Sequence, residues 1–203
     1  MKVARIWHGT RAEGPGLRTA LWLQGCSISC PGCVNPHLWS FQGGSEVDVK
    51  ELAAQIIESE VEGITLLGGE PFDQPLESFK LASLVKSGGK GVITFSGYTY
   101  ENLLSEDRDH WADLLSVTDL LVDGPFIRDL PEHERAWVGS SNQHFINLTE
   151  RYITVDPSIA INRIEMRVLP NGAIETCGFA TVEKLQEIGQ VLSVKPKRLH
   201  RLD

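Results

Sequence analysis

Gly63-Ile64-Thr65-Leu66-Leu67-Gly68-Gly69-Glu70-Pro71 is the stretch on which the fold turns. Its apolar run is too short for a helix, and Gly68-Gly69 ends it abruptly, so it reads as a short buried strand. A helix is expected before it. Asp48 is an N-cap with Glu51 three residues later, and Leu52, Ala53, Ile56 and Ile57 then recur at helical spacing. Another helix is expected after it. Pro75 opens it, Phe79, Leu81, Ala82 and Leu84-Val85 supply its apolar side, and Gly88-Gly89 stops it.

Further outward the alternation continues. Arg18 to Gln24 is a compact apolar segment that reads as a strand, and Val92-Ile93-Thr94-Phe95 is another. Asn102 to Leu115 suggests a further helix, and Leu120-Leu121-Val122-Asp123 a further strand. Short strands alternating with helices imply right-handed βαβ units on a parallel sheet, hence an α/β fold. The loops after the strands then gather at one end. The segments after Gln24, Gly68-Gly69-Glu70, Ser96-Gly97-Tyr98 and Asp123-Gly124 are expected to share that mouth, where α/β proteins collect ligands.

Beyond Tyr152 the pattern changes. Arg163 to Leu169 alternates in the strand manner, Asn171-Gly172 signals a two-residue hairpin turn, and Ala173 to Cys177 is the return strand. Thr181 with Glu183 to Ile188 suggests a last short helix. Residues 1–150 are read as the core, and 151–203 as a hairpin, short helix and basic tail packed on it. No fixed-period repeat or low-complexity tract is present.

The chain has 203 residues, 41% hydrophobic and 23% charged, which excludes a disordered protein. No apolar run reaches the ~20 residues of a membrane span. The first residues lack the pattern of a secretory signal, so the cytoplasm is the expected compartment and no membrane partner is expected. With 19 Lys and Arg against 27 Asp and Glu, the net charge of −8 gives no bulk attraction for nucleic acid, and none is expected as a partner. The basic run from Lys195 to Arg201 reads as a solvated terminus.

Three of the four cysteines, Cys26, Cys30 and Cys33, form a C-x3-C-x2-C group, whereas Cys177 is far along the chain. In a reducing compartment such clustering points to metal or catalysis rather than disulfides. Thiolates suit zinc or iron–sulfur clusters, and Pro31-Gly32 lets the loop turn tightly. A [4Fe–4S] cluster on three local cysteines keeps one iron open to a non-protein ligand. His37 could instead close a structural Cys3His zinc site, giving a zinc-stapled binding module, and Cys177 could be a remote fourth ligand or a small core residue. Spacing alone leaves these open. The Gly68-Gly69-Glu70-Pro71 turn adds close backbone approach and a carboxylate able to receive an ammonium group.

Gly25 to Cys33, taken with Gly68-Gly69-Glu70-Pro71, resembles the radical S-adenosylmethionine superfamily. Glu13-Gly14-Pro15-Gly16-Leu17-Arg18-Thr19 ahead of Leu23-Gln24-Gly25-Cys26 is similar to the glycyl-radical-enzyme activases. Ser96-Gly97-Tyr98-Thr99, Leu121 to Phe126 and Gly139 to Gln143 resemble the activating proteins of anaerobic ribonucleotide reductase, with the likeness running from about Ile6 to Leu148. The resemblance implies a partial parallel (β/α)6 barrel of radical S-adenosylmethionine type, carrying the small C-terminal hairpin and helix as an addition. It implies one [4Fe–4S] cluster held by Cys26, Cys30 and Cys33, and S-adenosyl-L-methionine on the open iron. Gly68, Gly69 and Glu70 would hold the amino end of that molecule. Ser96, Gly97 and Tyr98 would lie along it, and Asp123 would touch its carboxylate or a cation.

The implied activity is reductive cleavage to a 5′-deoxyadenosyl radical that takes hydrogen from a glycine of a partner enzyme, with flavodoxin or ferredoxin as low-potential electron donor. A radical enzyme of the same superfamily acting on a small molecule or peptide is the alternative. Ile64, Leu66, Ile93 and Leu121 are expected to form an apolar wall around the barrel interior.

Overall fold

The computed structural model describes residues 1–179 and 187–190. The strand expected at Arg18 is β2 (Arg18–Leu23), and it lies beside a strand that the periodicity does not single out, β1 (Lys2–Thr10). The two are antiparallel, with Ile6 opposite Leu21 and Trp7 opposite Ala20. A two-residue strand, β3 (Ser45–Glu46), pairs with the start of β1. Helix α1 (Val49–Glu58) follows, its first turn capped by the Asp48 carboxylate, which accepts from the Lys50 and Glu51 amides at 2.8 and 2.9 Å. Next come β4 (Gly63–Gly68), α2 (Pro75–Ser87) and β5 (Gly91–Phe95), with Gly88 and Gly89 closing α2 as the sequence implies.

The single helix expected from Asn102 to Leu115 is two: α3 (Tyr100–Ser105) and α4 (Trp111–Val117). Between them lie Glu106, Asp107, Arg108, Asp109 and His110, with His110 in the left-handed region at φ 64°. Three acids in five residues favour local turns over helix, and Arg108 is drawn out over the rings of Tyr98 and Trp111, 5.4 and 4.5 Å from their centroids. Strand β6 (Leu120–Asp123) follows, then β7 (His144–Asn147), also not singled out by periodicity.

The strands form one seven-stranded sheet in the order β3-β1-β2-β4-β5-β6-β7. Its centre, β2, β4, β5 and β6, is parallel, and both flanks are antiparallel, so the α/β sheet is a mixed partial barrel rather than six parallel strands. The central strands are buried on both faces, as parallel strands must be. Leu21, Leu23, Ile64, Leu66, Val92 and Leu121 pack under α1, α2 and α4. Trp7, Ala20, Trp22 and Leu67 point to the opposite, concave side, as do Ile93 and Leu120. The expected interior wall is thereby corrected. Ile64, Leu66 and Leu121 face the helices because side chains alternate along a strand, and Ile93 alone of the four lies inside.

The hairpin is present as β8 (Ile164–Val168) and β9 (Ile174–Gly178), paired antiparallel in a sheet of their own. Its turn is not the two-residue kind. The Gly172 amide donates to the Leu169 carbonyl, and the Leu169 amide to that of Ala173, both at 2.8 Å, while Gly172 alone takes positive φ. Pro170 sets the first central position of an ordinary turn, and Gly172 then supplies the left-handed residue. The hairpin docks on the lower half of β1. Arg5 donates to the Thr176 carbonyl at 2.8 Å, and the Arg11 amide to Glu165 at 2.7 Å. Arg167 lies 4.1 Å over the Trp7 ring, and Cys177 Sγ is 3.4 Å from Thr10 Oγ1. Of the last expected helix, residues 187–190 are helical; its beginning at Thr181 and the basic run from Lys195 fall outside the described residues. Among the described residues no helix is long and apolar enough to cross a membrane.

Candidate functional site

The ends of β2, β4, β5 and β6 open on one mouth, and their loops are stitched together by backbone hydrogen bonds. The Gly69 amide donates to the Leu23 carbonyl at 2.9 Å, and the Glu70 amide to the Gly25 carbonyl at 2.8 Å. The Gly-Gly turn is thus fastened to the residues just before Cys26. A Cβ on Gly69 would lie 2.2 Å from the Gly25 carbonyl oxygen, and Gly68 holds φ at +98°, so these glycines serve the approach of one loop to another. Gly97 is needed likewise, because a Cβ there would meet Ile28 Cδ1 of the cysteine loop at 2.7 Å.

Glu70 is the pin of this arrangement. Its carboxylate is buried and accepts the Phe72 amide at 2.9 Å, the Ser96 hydroxyl at 3.0 Å and the Gly97 amide at 2.8 Å. Burial pushes its pKa up to about 8, since three neutral donors offset only part of the cost of a charge withdrawn from water. The Ser96 hydroxyl also accepts the Tyr98 amide at 3.1 Å. Asp123 is buried too, and it accepts the Tyr100 amide at 2.6 Å and the His144 amide at 3.2 Å, with His144 Nδ1 at 3.0 Å. Both its oxygens are engaged within the protein, so it braces the start of α3 and the edge strand β7 behind the mouth.

Cys26, Cys30 and Cys33 are free, half-buried thiols on the loop after β2. The Cys33 amide donates to the Cys30 carbonyl at 3.0 Å, and the Asn35 amide to Cys33 Sγ at 3.4 Å. Ser29 and Gly32 turn the loop through positive φ, 51° and 85°. Burial pushes the Cys26 thiol up to about 11 and raises Cys30 as well. Thiols so placed are poor free thiolates. Bound iron would hold such sulfurs in the thiolate form. Three thiols on one short loop are the donor type that iron–sulfur clusters take. Among the described residues no three His, Cys, Asp or Glu side chains are gathered as a set able to hold a metal ion. His37 is exposed on a turn at Pro36–Leu38, and Cys177 is buried against Thr10 in the concave cluster with Trp7 and Trp22. Neither forms a closed cage with the three thiols.

Several residues at the mouth are not singled out by motif. Asp73 accepts the Ser27 amide at 2.6 Å and the Ser27 hydroxyl at 2.9 Å, and that hydroxyl is 2.9 Å from the Tyr98 hydroxyl. Arg108 donates to the Tyr98 hydroxyl at 3.3 Å, and the Tyr98 ring lies against Trp111 with centroids 4.7 Å apart. Arg128 crosses the cysteine loop so closely that a Cβ on Gly32 would lie 2.6 Å from its Nε. The signal for Asp73 is its place in the same Pro-led turn as Glu70; Arg108 and Arg128 carry none, because their partners are distant in sequence.

Comparison with known proteins agrees with this architecture. Residues 12–146 match the model of the 4Fe-4S single cluster domain. The anaerobic ribonucleoside-triphosphate reductase-activating protein of Enterobacteria phage T4 is 32% identical over 157 residues, covering 74% of this chain and 96% of that protein. The protein of that name from Escherichia coli K12 is 31% identical over 141 residues, covering 64% and 88%. That from Pasteurella multocida is 32% identical over 149 residues, covering 68% and 92%. The crystal structure of QueE from Escherichia coli overlaps 48% of this chain and 53% of its own, with a TM-score of 0.40 and 20% identity, too partial a likeness to build on. With sequence relatedness running through the cysteine loop and all four strand-end loops, the chain belongs to the 4Fe-4S single cluster family, as a radical S-adenosylmethionine oxidoreductase of the glycyl-radical-enzyme activase type.

Proposed function

We propose that this chain cleaves S-adenosylmethionine reductively and uses the product to place a radical on a backbone glycine of a partner, an anaerobic ribonucleotide reductase. The observation that supports this most is the double backbone stitch, Gly69 to Leu23 and Glu70 to Gly25, which fixes the Gly-Gly-Glu turn against the start of the three-cysteine loop. Cys26, Cys30 and Cys33 would hold a [4Fe–4S] cluster with one iron free of protein. Such a cluster would supply the one electron for cleaving the carbon–sulfur bond of S-adenosylmethionine, giving methionine and the 5′-deoxyadenosyl radical that would take hydrogen from the glycine.

The protein's own residues position and protect. Gly68, Gly69 and Glu70 would hold the amino end of the sulfonium substrate; among the described residues the groups bonded to the Glu70 carboxylate are neutral. Ser96, Gly97 and Tyr98 would line its length, with Asp123 bracing the start of α3 and β7 beyond them. Trp22, Leu67 and Phe95, packed together on the concave side, would exclude water from the reacting end. A flavodoxin or ferredoxin would be the electron donor, and the cytoplasm the setting. Residues 151–203 belong to this reading as an addition to the core of residues 1–150.

The test is anaerobic reconstitution with iron and sulfide, followed by reduction with S-adenosylmethionine present. The expected product is 5′-deoxyadenosine, and with an anaerobic reductase present a glycyl radical by electron paramagnetic resonance. A reconstituted, reduced protein that releases no 5′-deoxyadenosine overturns the proposal. Cys30→Ala is expected to lose most of its iron, because a three-thiolate site cannot spare a ligand.

A further inference from the structure

The cysteine loop is well held at both ends. The Gly25 amide donates to the Leu38 carbonyl at 2.8 Å and the Cys26 amide to that of Trp39 at 3.1 Å, while Cys33 is tied back to Cys30. Between Cys26 and Cys30 the loop is tied to the rest of the protein at Ser27: the Asp73 carboxylate accepts both its amide and its hydroxyl, at 2.6 and 2.9 Å, and the Tyr98 hydroxyl lies 2.9 Å from that same hydroxyl.

Asp73 is itself rigidly placed. Its amide donates to the Glu70 carbonyl at 3.0 Å, and it follows Pro71 and Phe72, both buried. The Phe72 carbonyl accepts the Trp111 indole at 2.9 Å, and the two rings meet edge to face at 5.7 Å. A carboxylate on so firm a base acts as a clamp. Its bonds to Ser27 place its charge one residue along the chain from Cys26, and the Glu70 amide is bonded to the carbonyl just before that cysteine, while the guanidinium of Arg128 lies across the loop at Gly32.

From this geometry we infer that Asp73 is a positioning residue that holds the cysteine loop at Ser27 and lowers the reduction potential of the cluster bound there. Two effects act together. An anion near the cluster disfavours the added electron, and a fixed Ser27 amide sets the direction in which the Cys26 sulfur is presented. The inference rests on the proposed cluster at Cys26, Cys30 and Cys33.

The experiment measures iron per chain and the midpoint potential of the reconstituted full-length protein, by redox titration followed by electron paramagnetic resonance, without S-adenosylmethionine. Asp73→Asn keeps the shape and one acceptor while removing the charge. It is expected to retain iron and shift the potential upward, by an amount equal to a several-fold change in reduced fraction at fixed potential. Asp73→Ala removes the clamp as well and is expected to retain less iron and broaden the spectrum. Glu58→Gln, which makes the same change in net charge at the far end of α1, is expected to leave both readouts at their native values. Equal shifts from Asp73→Asn and Glu58→Gln, or native potential and spectrum in both Asp73 variants, overturn the inference while leaving the proposed function intact. A native chain that takes up no cluster overturns both.

Discussion

Arg18 shows how much of this fold one side chain can organise. It begins β2, is fully withdrawn from water, and spreads its guanidinium between strands at the end of the barrel opposite the mouth. It donates to Thr65 Oγ1 and Tyr152 Oη at 2.8 Å each, to the Pro15 carbonyl at 3.1 Å, and also to Glu62 and the Ile64 carbonyl. Thr65 passes the connection on by donating to the Glu13 carbonyl at 2.8 Å. Lysine cannot reproduce a planar fan of donors, so the site asks for arginine. Arg18→Met keeps much of the volume but leaves several buried acceptors without donors and Glu62 without its inner cation. The expected loss is about 3 kcal/mol, at the lower end for a broken buried pair because Glu62 is partly in water. Denaturant midpoints of the two proteins check this, and a change under ~1 kcal/mol would show that the fan contributes little.

The docked hairpin gives the clearest test at the level of elements. Glu13 sits on the loop between β1 and β2, is 3% exposed, and accepts the Gly178 amide at 2.7 Å. Burial raises its pKa from 4.5 to about 7, so the folded protein binds this proton more tightly than the unfolded chain. Stability from this group is complete below about 4.5 and is lost as pH rises through about 7. The Glu13→Gln variant keeps an oxygen for the Gly178 amide and carries no titration. Its stability relative to the native protein is expected to grow between pH 5 and pH 8, by on the order of 3 kcal/mol at most. Parallel pH curves for the two proteins would show that Glu13 ionises freely.

Gly178 itself has φ +102°, and a Cβ there would lie 1.9 Å from the Arg163 carbonyl oxygen and 2.9 Å from Ala12 Cβ. Gly178→Ala is therefore expected to loosen the hairpin and speed modification of Cys177 several-fold in a protein whose other three cysteines are serine. Unchanged thiol reactivity would count against a tight seat. What the sequence discloses about such elements follows from where their signals lie. Helices α1 and α2, the parallel strands and the hairpin announce themselves through caps, prolines, paired glycines and local period. The antiparallel strands β1 and β7, which flank the parallel centre, carry no such signal. The break at 106–110 depends on Arg108 finding two rings, and the clamp of Asp73 on Ser27 spans 46 residues. Motifs locate the mouth; the long-range bonds that hold it become visible only in three dimensions.

Across the whole molecule, the hairpin reverses the usual arrangement of faces. Glu165, Arg167 and Cys177 turn inward to β1, while Met166, Val168 and Ile174 stand exposed. Its attachment is thus built from polar and cation–ring contacts, and its chief apolar gain is the cover it gives Trp7, which is 1% exposed. The stretch between β7 and the hairpin, by contrast, is fastened directly to the core. Tyr152 is buried beside Arg18, the Ala136 amide donates to the Pro157 carbonyl at 2.9 Å, and the Trp137 amide to Asn162 Oδ1 at 3.0 Å. A chain ending at Asn162 keeps these contacts, all seven strands of the large sheet and the four mouth loops. It is expected to fold with Trp7 in water, seen as red-shifted emission, and to lose about 2–3 kcal/mol of stability for the ring uncovered. The hairpin touches the core from Arg5, opposite Trp22, down to the loop at Glu13, and among the described residues it bonds to none of the three loop thiols, so iron uptake and 5′-deoxyadenosine formation are expected to match the full chain. A shortened protein that folds yet fails to take up iron would show that the hairpin reaches the site through β1, and that core and addition work as one unit.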